Sequence, residues 1–391
     1  MNLKVCFETF GCRLSRAEAL EDEARYLAAG YERVESHREA DVIVVRGCSV
    51  TGRAQRDCEK LIDHLKRHYP AKRLVVTGCL PKDRLTNFDP LKDEPPALAV
   101  PTRTARAYLK VQDGCAGKCT FCIVPTFRGK SVSVDFDAVM DKAKRFVDAG
   151  YQELVVTGCN LALYASKGKK LSELAAALSQ LARVRIGSVE PGPAARELVE
   201  AMAENENICR FLHLPIQSGS SKVLSAMGRP YTVKEVDELI KYATAKMPRL
   251  ALGADFITGF PGETDFDYLA TVGLLKRHQF AKVHVFPYSE RPGTVAVGFP
   301  DKLPREICSR RAKELAALAK PIRSAYARKF VGQTVEIIVE EEKKHAGWTG
   351  EYLWCEVSKA VQAETLPPRK SRLKLRVLRA TGGCLLATPV A

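Results

Sequence analysis

The sequence lacks any long apolar run. Nowhere in its 391 residues does a hydrophobic stretch approach the ~20 residues that cross a bilayer, which excludes a helical membrane span. The opening MNLKVCFETFGC also lacks the basic-then-apolar order of a secretory leader, so a cytoplasmic protein with no membrane partner is expected. In that reducing compartment thirteen cysteines do not read as a disulfide framework. Acid is scarce as well: 61 Lys and Arg face 46 Asp and Glu, a net charge of +15, which favours a polyanionic partner. From Asp301 to Ala391 there are 18 Lys and Arg against 10 Asp and Glu, so over half the excess lies in the last quarter of the chain. A solvated basic face is the plain alternative. With 46% hydrophobic and 27% charged residues the chain reads as globular, long enough for two or three domains.

Strand and helix patterns alternate from the start. LKVCFE (3–8), ADVIVVRG (40–47) and RLVVTG (73–78) read as strands, separated by helices over 15–29, with Ser15 as the expected N-cap, and 52–69. This β-α-β-α-β run predicts a parallel sheet. A polar, proline-containing stretch over 81–105 reads as a linker. Six further strands follow at 107–112, 152–157, 183–189, 209–215, 250–257 and 281–286, with helices over 137–149, 171–182, 193–203, 233–246, 264–277 and 304–329. Six such units predict a partial or full β/α barrel, whose chemistry belongs at the C-terminal strand ends. The tail lacks any long helix. TVEIIVEEE, EYLWCEV and LKLRVLRA predict a small all-β domain, in which Leu373, Leu375 and Val377 alternate with Arg372, Lys374 and Arg376 to give one buried face and one basic ridge. The expected division is 1–100, 101–328 and 329–391.

The cysteines carry the chemistry. VQDGCAGKCTFCIVPTFRG (111–129) places Cys115, Cys119 and Cys122 in a CxxxCxxC spacing directly after the first barrel strand. No fourth ligand stands near; Cys159 and His213 are next in line. Structural zinc takes four protein ligands, whereas three thiolates suit an iron–sulfur cubane with one iron open to a small molecule. Cys12, Cys48 and Cys79 each follow a strand of the N-terminal sheet, and each is preceded by a glycine, Gly11, Gly47 or Gly78. Strand ends of a parallel sheet lie along one edge, so these three thiols can form a second tripod; three unrelated loop cysteines are the alternative. Cys6, Cys58, Cys159, Cys209, Cys308, Cys355 and Cys384 have no such grouping. Other barrel strand ends offer Gly158, Ser188 with Glu190, and His213 with Gln217 and Ser218, although a histidine in an apolar strand is more often a satisfied core residue.

CxxxCxxC after the first strand of a β/α barrel resembles the radical S-adenosylmethionine superfamily. Three additional N-terminal cysteines and a small C-terminal β domain (TRAM-like) resemble its methylthiotransferase branch. GCNLALY, GSVEPG, FLHLPIQSGSSKVLSAMGRPYT, GADFITGFPGET and HVFPYSERPGT are most similar to the subgroup acting on N6-threonylcarbamoyladenosine at tRNA position 37. The resemblance implies an α/β fold: an N-terminal parallel-sheet methylthiotransferase domain, a partial (β/α)6 barrel and an RNA-binding all-β domain. It implies two [4Fe-4S] clusters. One, on Cys115, Cys119 and Cys122, would bind S-adenosylmethionine and generate a 5′-deoxyadenosyl radical; the other, on Cys12, Cys48 and Cys79, would carry the sulfur transferred to adenine C2. Phe121 would lie near the adenine of the cofactor nucleoside and Gly158 near its methionine end, with Ser188, Glu190, His213 and Gln217 completing the pocket. An electron-donor protein is implied; no sulfur donor is specified. Arg372, Lys374, Arg376 and the basic helix over 310–329 are the expected contacts for the tRNA anticodon loop. The chain departs from the family pattern at Ser15, where asparagine is usual, at Arg46-Gly47, where Asn-Thr is usual, and in the short stretch between Cys79 and Cys115. Other expected possibilities are methylthiolation of isopentenyladenosine, methylthiolation of a ribosomal-protein aspartate, and a cluster-bearing RNA-binding protein without catalysis.

Overall fold

The apolar run Val42–Cys48 is buried almost throughout because both faces of its sheet are covered. Ile43 and Val45 pack with Cys6, Val76 and the helix Gly52–His68, whereas Val42 and Val44 pack with Val5, Val75 and Tyr26 of the helix Arg13–Ala28. The computed structural model describes residues 2–86, 100, 103–358 and 366–390. Its first sheet runs in the order Glu32–Arg33, Lys4–Thr9, Val42–Cys48, Arg73–Cys79, all parallel. Most of the expected linker over 81–105 lies outside the described residues.

Ser15 is not the helix cap. The helix begins at Arg13 with Cys12 in the N-cap position, and Ser15 is buried within the first turn. The chain turns sharply at Gly11, φ +111°, so it enters the helix earlier than a cap-type residue suggests. The second helix is capped conventionally, the Thr51 hydroxyl accepting from the Ala54 N–H at 3.2 Å.

Two three-stranded parallel sheets follow. Arg183–Ile186, Glu153–Thr157 and Ala107–Lys110 form one; Phe211–Gln217, Ala251–Thr258 and Phe280–Pro287 form the other. Parallel bridges Val184 to Ile208 and Ser188 to His213 join them into an open barrel of six strands in sequence order. Alternation sorts the side chains: Leu109, Leu154, Val156, Leu212, Leu214, Leu252 and Phe256 join the core with the outer helices. Tyr108 and Val155 face the other way and receive Ala17 and Leu20 of the N-terminal helix. The short helices Val124–Arg128 and Ser221–Ala226 had no counterpart in the sequence reading. No helix among the described residues is long and apolar enough to cross a membrane.

The tail forms a five-stranded sheet ordered Thr334–Ile338, Arg372–Thr381, Cys384–Pro389, Trp354–Val357, Gly347–Trp348, nearly closed by a bridge between Ile337 and Thr349. Leu375 and Val377 are buried while Lys374 and Arg376 are exposed, as the alternation predicts. This sheet docks on the N-terminal ends of the barrel strands around one carboxylate. Glu153, fully buried, accepts from Arg183 Nε at 2.6 Å and Arg185 Nε at 2.8 Å, with Arg106 Nη1 at 3.6 Å. Both strand arginines continue across the junction, Arg183 donating to the Trp348 and Glu336 carbonyls at 3.2 and 3.0 Å, Arg185 to the Thr349 carbonyl at 2.8 Å. Burial alone would raise the Glu153 carboxyl; the guanidiniums of Arg183, Arg185 and Arg106 overcome it and hold the group well below the usual carboxylate range.

Glu153→Gln leaves three buried cations short of their counter-charge and is expected to cost about 3–5 kcal/mol at neutral pH, read as a lowered urea midpoint. Because the folded-state carboxyl titrates low, its contribution is complete above the unfolded value of about 4.3 and fades as pH falls below it. The gap between wild type and variant therefore narrows in acid.

Candidate functional site

Both cysteine sets lie at C-terminal strand ends, and all six thiols are free. Cys48 and Cys79 end adjacent strands in direct register, and Cys12 starts the helix that leaves the neighbouring strand. The preceding glycines are required by contact. A Cβ at Gly11 would stand 3.0 Å from Cys48 Cβ and 3.1 Å from its sulfur. A Cβ at Gly47 would meet Leu80 at 2.3 Å and the Cys58 sulfur at 2.9 Å. Arg46 is held by Glu18 at 2.9 Å and by Asp22, so the unusual Arg46-Gly47 pair is locked on both sides.

In the second set the loop folds on itself. The Gly117 N–H donates to Cys115 Sγ at 3.3 Å, and the Cys122 N–H to the Cys119 carbonyl at 3.1 Å. Three soft thiol donors and glycine-lined surroundings in each place fit an iron–sulfur cubane, and structural zinc would call for a fourth protein ligand.

Gln112, fully buried, joins the CxxxCxxC loop to the next strand end. Its amide nitrogen donates to the Gly114 carbonyl at 2.7 Å and the Ser131 hydroxyl at 2.9 Å, and its oxygen accepts from the Asn160 N–H at 2.9 Å. A Cβ at Gly158 would strike that oxygen at 2.8 Å. Arg229 ties in the far side: it donates to Cys119 Sγ at 3.1 Å and to the Pro215 carbonyl at 3.2 Å, and pairs with Glu190 at 3.1 Å. Burial pushes the Cys122 thiol up to about 11, with Cys119 and Cys115 adding to the effect. Burial likewise raises Cys159, whose sulfur donates to Asp113 at 3.5 Å.

The remaining expected residues separate. Gln217 sits on a strand irregularity with φ +74°, a conformation rare outside glycine. Ser188 is exposed and bridges His213 through backbone alone. His213 is buried, with Nε2 3.0 Å from Asp255, which also pairs with His284 at 2.9 Å. Phe121 packs edge-on against Phe260 at 6.4 Å between ring centres. Arg372 is not part of an open ridge: it is half-buried, facing Asn207 at 3.4 Å and Glu336 at 3.6 Å. Arg311, in the basic helix, is buried against Glu263 at 2.5 Å and Asp265 at 2.6 Å.

Two arginines escaped the sequence reading. Arg128 donates to Cys79 Sγ at 2.8 Å, and Arg229 to Cys119. The available signals were their places in TFRG, at the end of the cysteine motif, and in MGRPYT. Glu18 was missed too; it is buried on the helix Arg13–Ala28, which buries residues on several sides, so no single apolar stripe marked it out.

An open β/α barrel with CxxxCxxC at its first strand end defines a radical S-adenosylmethionine protein. Residues 109–275 match the radical SAM superfamily, and residues 4–98 match an uncharacterized protein family, UPF0004. The fold is similar to that of the radical S-adenosylmethionine methyltransferase TsrM from Kitasatospora setae, with a TM-score of 0.51 and 13% identity, covering 74% of this chain and 77% of that one. Among curated proteins, the threonylcarbamoyladenosine tRNA methylthiotransferase MtaB of Bacillus subtilis is 33% identical over 89% of each chain. Its namesake in Chlamydia pneumoniae is 31% identical over 85% of each, and a tRNA-2-methylthio-N(6)-dimethylallyladenosine synthase of Chlorobium limicola 29% identical over 88% of each. The chain belongs to the radical SAM tRNA methylthiotransferase family, and with that family come an iron–sulfur cluster and S-adenosylmethionine.

Gln112→Leu keeps the bulk but strands the Asn160 N–H and the Gly114 carbonyl, at about 1–3 kcal/mol for each group left buried and unpaired. In a background with Cys12, Cys48 and Cys79 changed to alanine, the variant should retain less iron per chain than its parent, measured after anaerobic reconstitution.

Proposed function

We propose that this protein installs a methylthio group at C2 of N6-threonylcarbamoyladenosine at position 37 of tRNA. In this reading Cys115, Cys119 and Cys122 hold one [4Fe-4S] cluster and Cys12, Cys48 and Cys79 a second. The observation that supports it is the pair of three-cysteine sets at C-terminal strand ends, one along the edge of the first sheet and one following the first barrel strand. The two MtaB relatives support the threonylcarbamoyl substrate. Bound clusters and S-adenosylmethionine would supply the radical chemistry and the sulfur.

The chain's own residues bind, orient and shield. Three thiolates from each set leave one iron of each cluster without a protein ligand, a place for a small molecule. Arg229 fixes Cys119 and, through Pro215 and Glu190, two strand ends around it. Gln112 fixes the loops at Gly114 and Gly158–Asn160, where the methionine end of the cofactor would lie. Phe121, Ser188, His213 and Gln217 complete the pocket in this reading. A base in an anticodon loop is single-stranded and enters such a pocket without breaking a duplex. The units 1–100, 101–328 and 329–391 would act as cluster domain, barrel and RNA-binding domain, in the cytoplasm, with an electron-donor protein as a further partner. Lys374 and Arg376, exposed on the tail sheet, and Arg310, Lys313, Lys320 and Arg328, exposed on the helix Arg305–Arg328, with Lys329 just beyond it, are the remaining candidates for phosphate contact.

Nucleoside analysis of tRNA from a deletion strain tests the substrate. Wild type should restore 2-methylthio-N6-threonylcarbamoyladenosine, and Cys48→Ala or Cys119→Ala should leave the unthiolated nucleoside. Restoration of the 2-methylthio form of isopentenyladenosine instead would reassign the substrate. Lys374→Glu with Arg376→Glu should weaken tRNA binding and reduce the slope of log K against log salt by about 0.7–0.9 for each phosphate no longer neutralised. An unchanged slope would remove the tail from the interface.

A further inference from the structure

The guanidinium of Arg128 touches both cysteine regions. Arg128 ends the helix Val124–Arg128 that follows Cys122, and its side chain is 9% exposed. Nε donates to Cys79 Sγ at 2.8 Å. Nη1 donates to Glu18 Oε1 at 2.8 Å and Asp113 Oδ1 at 2.9 Å, and Nη2 to Glu18 Oε2 at 2.9 Å. Glu18 belongs to the N-terminal helix and Asp113 to the segment just before Cys115. Lys110 closes the group, donating to Glu18 and Asp113 at 2.6 Å each. One planar cation thus binds a carboxylate bidentately, a second carboxylate, and a sulfur of the opposite set.

A neutral thiol is a weak acceptor. The Arg128 N–H at 2.8 Å becomes a charge-assisted bond when the Cys79 sulfur is a cluster ligand. Hydrogen bonds and net charge around cluster sulfurs set reduction potential. A fixed cation stabilises the more negative, reduced form. The other set has its own arginine, Arg229 on Cys119, so the two positions are held by separate residues.

We propose that Arg128 is a positioning residue shared by the two sets: it holds the Cys79 sulfur against the loop that carries Cys115, Cys119 and Cys122, and raises the reduction potential of the cluster that Cys79 ligates. The inference rests on the reading of Cys12, Cys48 and Cys79 as a cluster site. Lysine cannot replace it fully, because an ammonium lacks the planar fork that spans Glu18 and reaches Cys79 at once.

The test is an EPR-monitored redox titration of anaerobically reconstituted full-length protein. Cluster signals are assigned with a Cys115→Ala, Cys119→Ala, Cys122→Ala parent. Arg128→Gln should keep its iron yet lower the reduced-to-oxidised ratio of the Cys12, Cys48, Cys79 cluster about tenfold at fixed potential, or 59 mV for one electron. Arg128→Lys should recover part of that shift, and the other cluster should titrate as in wild type. Glu18→Gln, which withdraws a negative charge from beside the same guanidinium, should shift the potential the opposite way, and it decides the matter if Arg128→Gln loses iron. Unchanged potentials in Arg128→Gln at full iron, or in Glu18→Gln after iron loss in Arg128→Gln, overturn the inference. Failure of the triple-alanine parent to take up any cluster would instead overturn the two-cluster reading.

Discussion

Glu18 is the charge on which the arrangement of the two cysteine sets depends. It lies in the N-terminal helix and receives Arg46 from its own sheet, and Lys110 and Arg128 from the barrel. Burial by itself would raise its carboxyl; Arg128, by hydrogen bond and charge, with Arg46 and Lys110, reverses the sign and keeps it ionised. A buried carboxylate with three cations is costly to assemble from water, and weak evidence for stability on its own. Its value here is orientation. Each cation comes from a different element, so two sheets that share no strand are held in one relation. Apolar contact could join the same surfaces, as Ala17 and Leu20 do against Tyr108 and Val155, but it would not fix the position of one sulfur.

A second buried carboxylate, Glu153, does the corresponding work at the opposite ends of the strands. Its partners also donate to main-chain carbonyls of the tail sheet, so the contact depends on backbone geometry more than on tail side chains. The barrel is therefore clamped at both ends by acid–arginine groups while its sides are sealed by aliphatic packing. The cysteine loops are placed by side-chain amides and guanidiniums, Gln112 and Arg229 above all, that satisfy loop carbonyls no regular ladder reaches.

What local pattern governs was legible in the sequence. Buried strands such as Val42–Cys48 declare themselves by continuous β-branched runs, and the helix Val233–Lys246 by its period. The cysteine sets were legible because they repeat one location, the end of a strand. Arg128, Glu18, Gln112 and Arg229 were not, because their meaning lies in partners remote in sequence, and an arginine's composition does not say which carboxylate it will find. The Ser15 error has the same root: a cap is chosen by where the chain bends, and Gly11 bends it first. Arg372 alternates correctly and still turns from solvent, since strand period fixes a face but not what docks beside it.

The tail sheet is tied to a cysteine region as well as to the barrel. It packs on Phe211, Ala251 and Ala281 at the N-terminal ends of the barrel strands, and Tyr352 accepts from Arg13, the residue after Cys12, at 2.8 Å. Trp348 stacks on the same tyrosine ring at 4.5 Å between ring centres, and both aromatics line one cavity with Gly11 and Cys12. Lys374 and Arg376 stay exposed on that sheet, so a polyanion can meet them without disturbing this contact, and the surplus of positive charge in the last quarter of the chain has a physical reason to sit there.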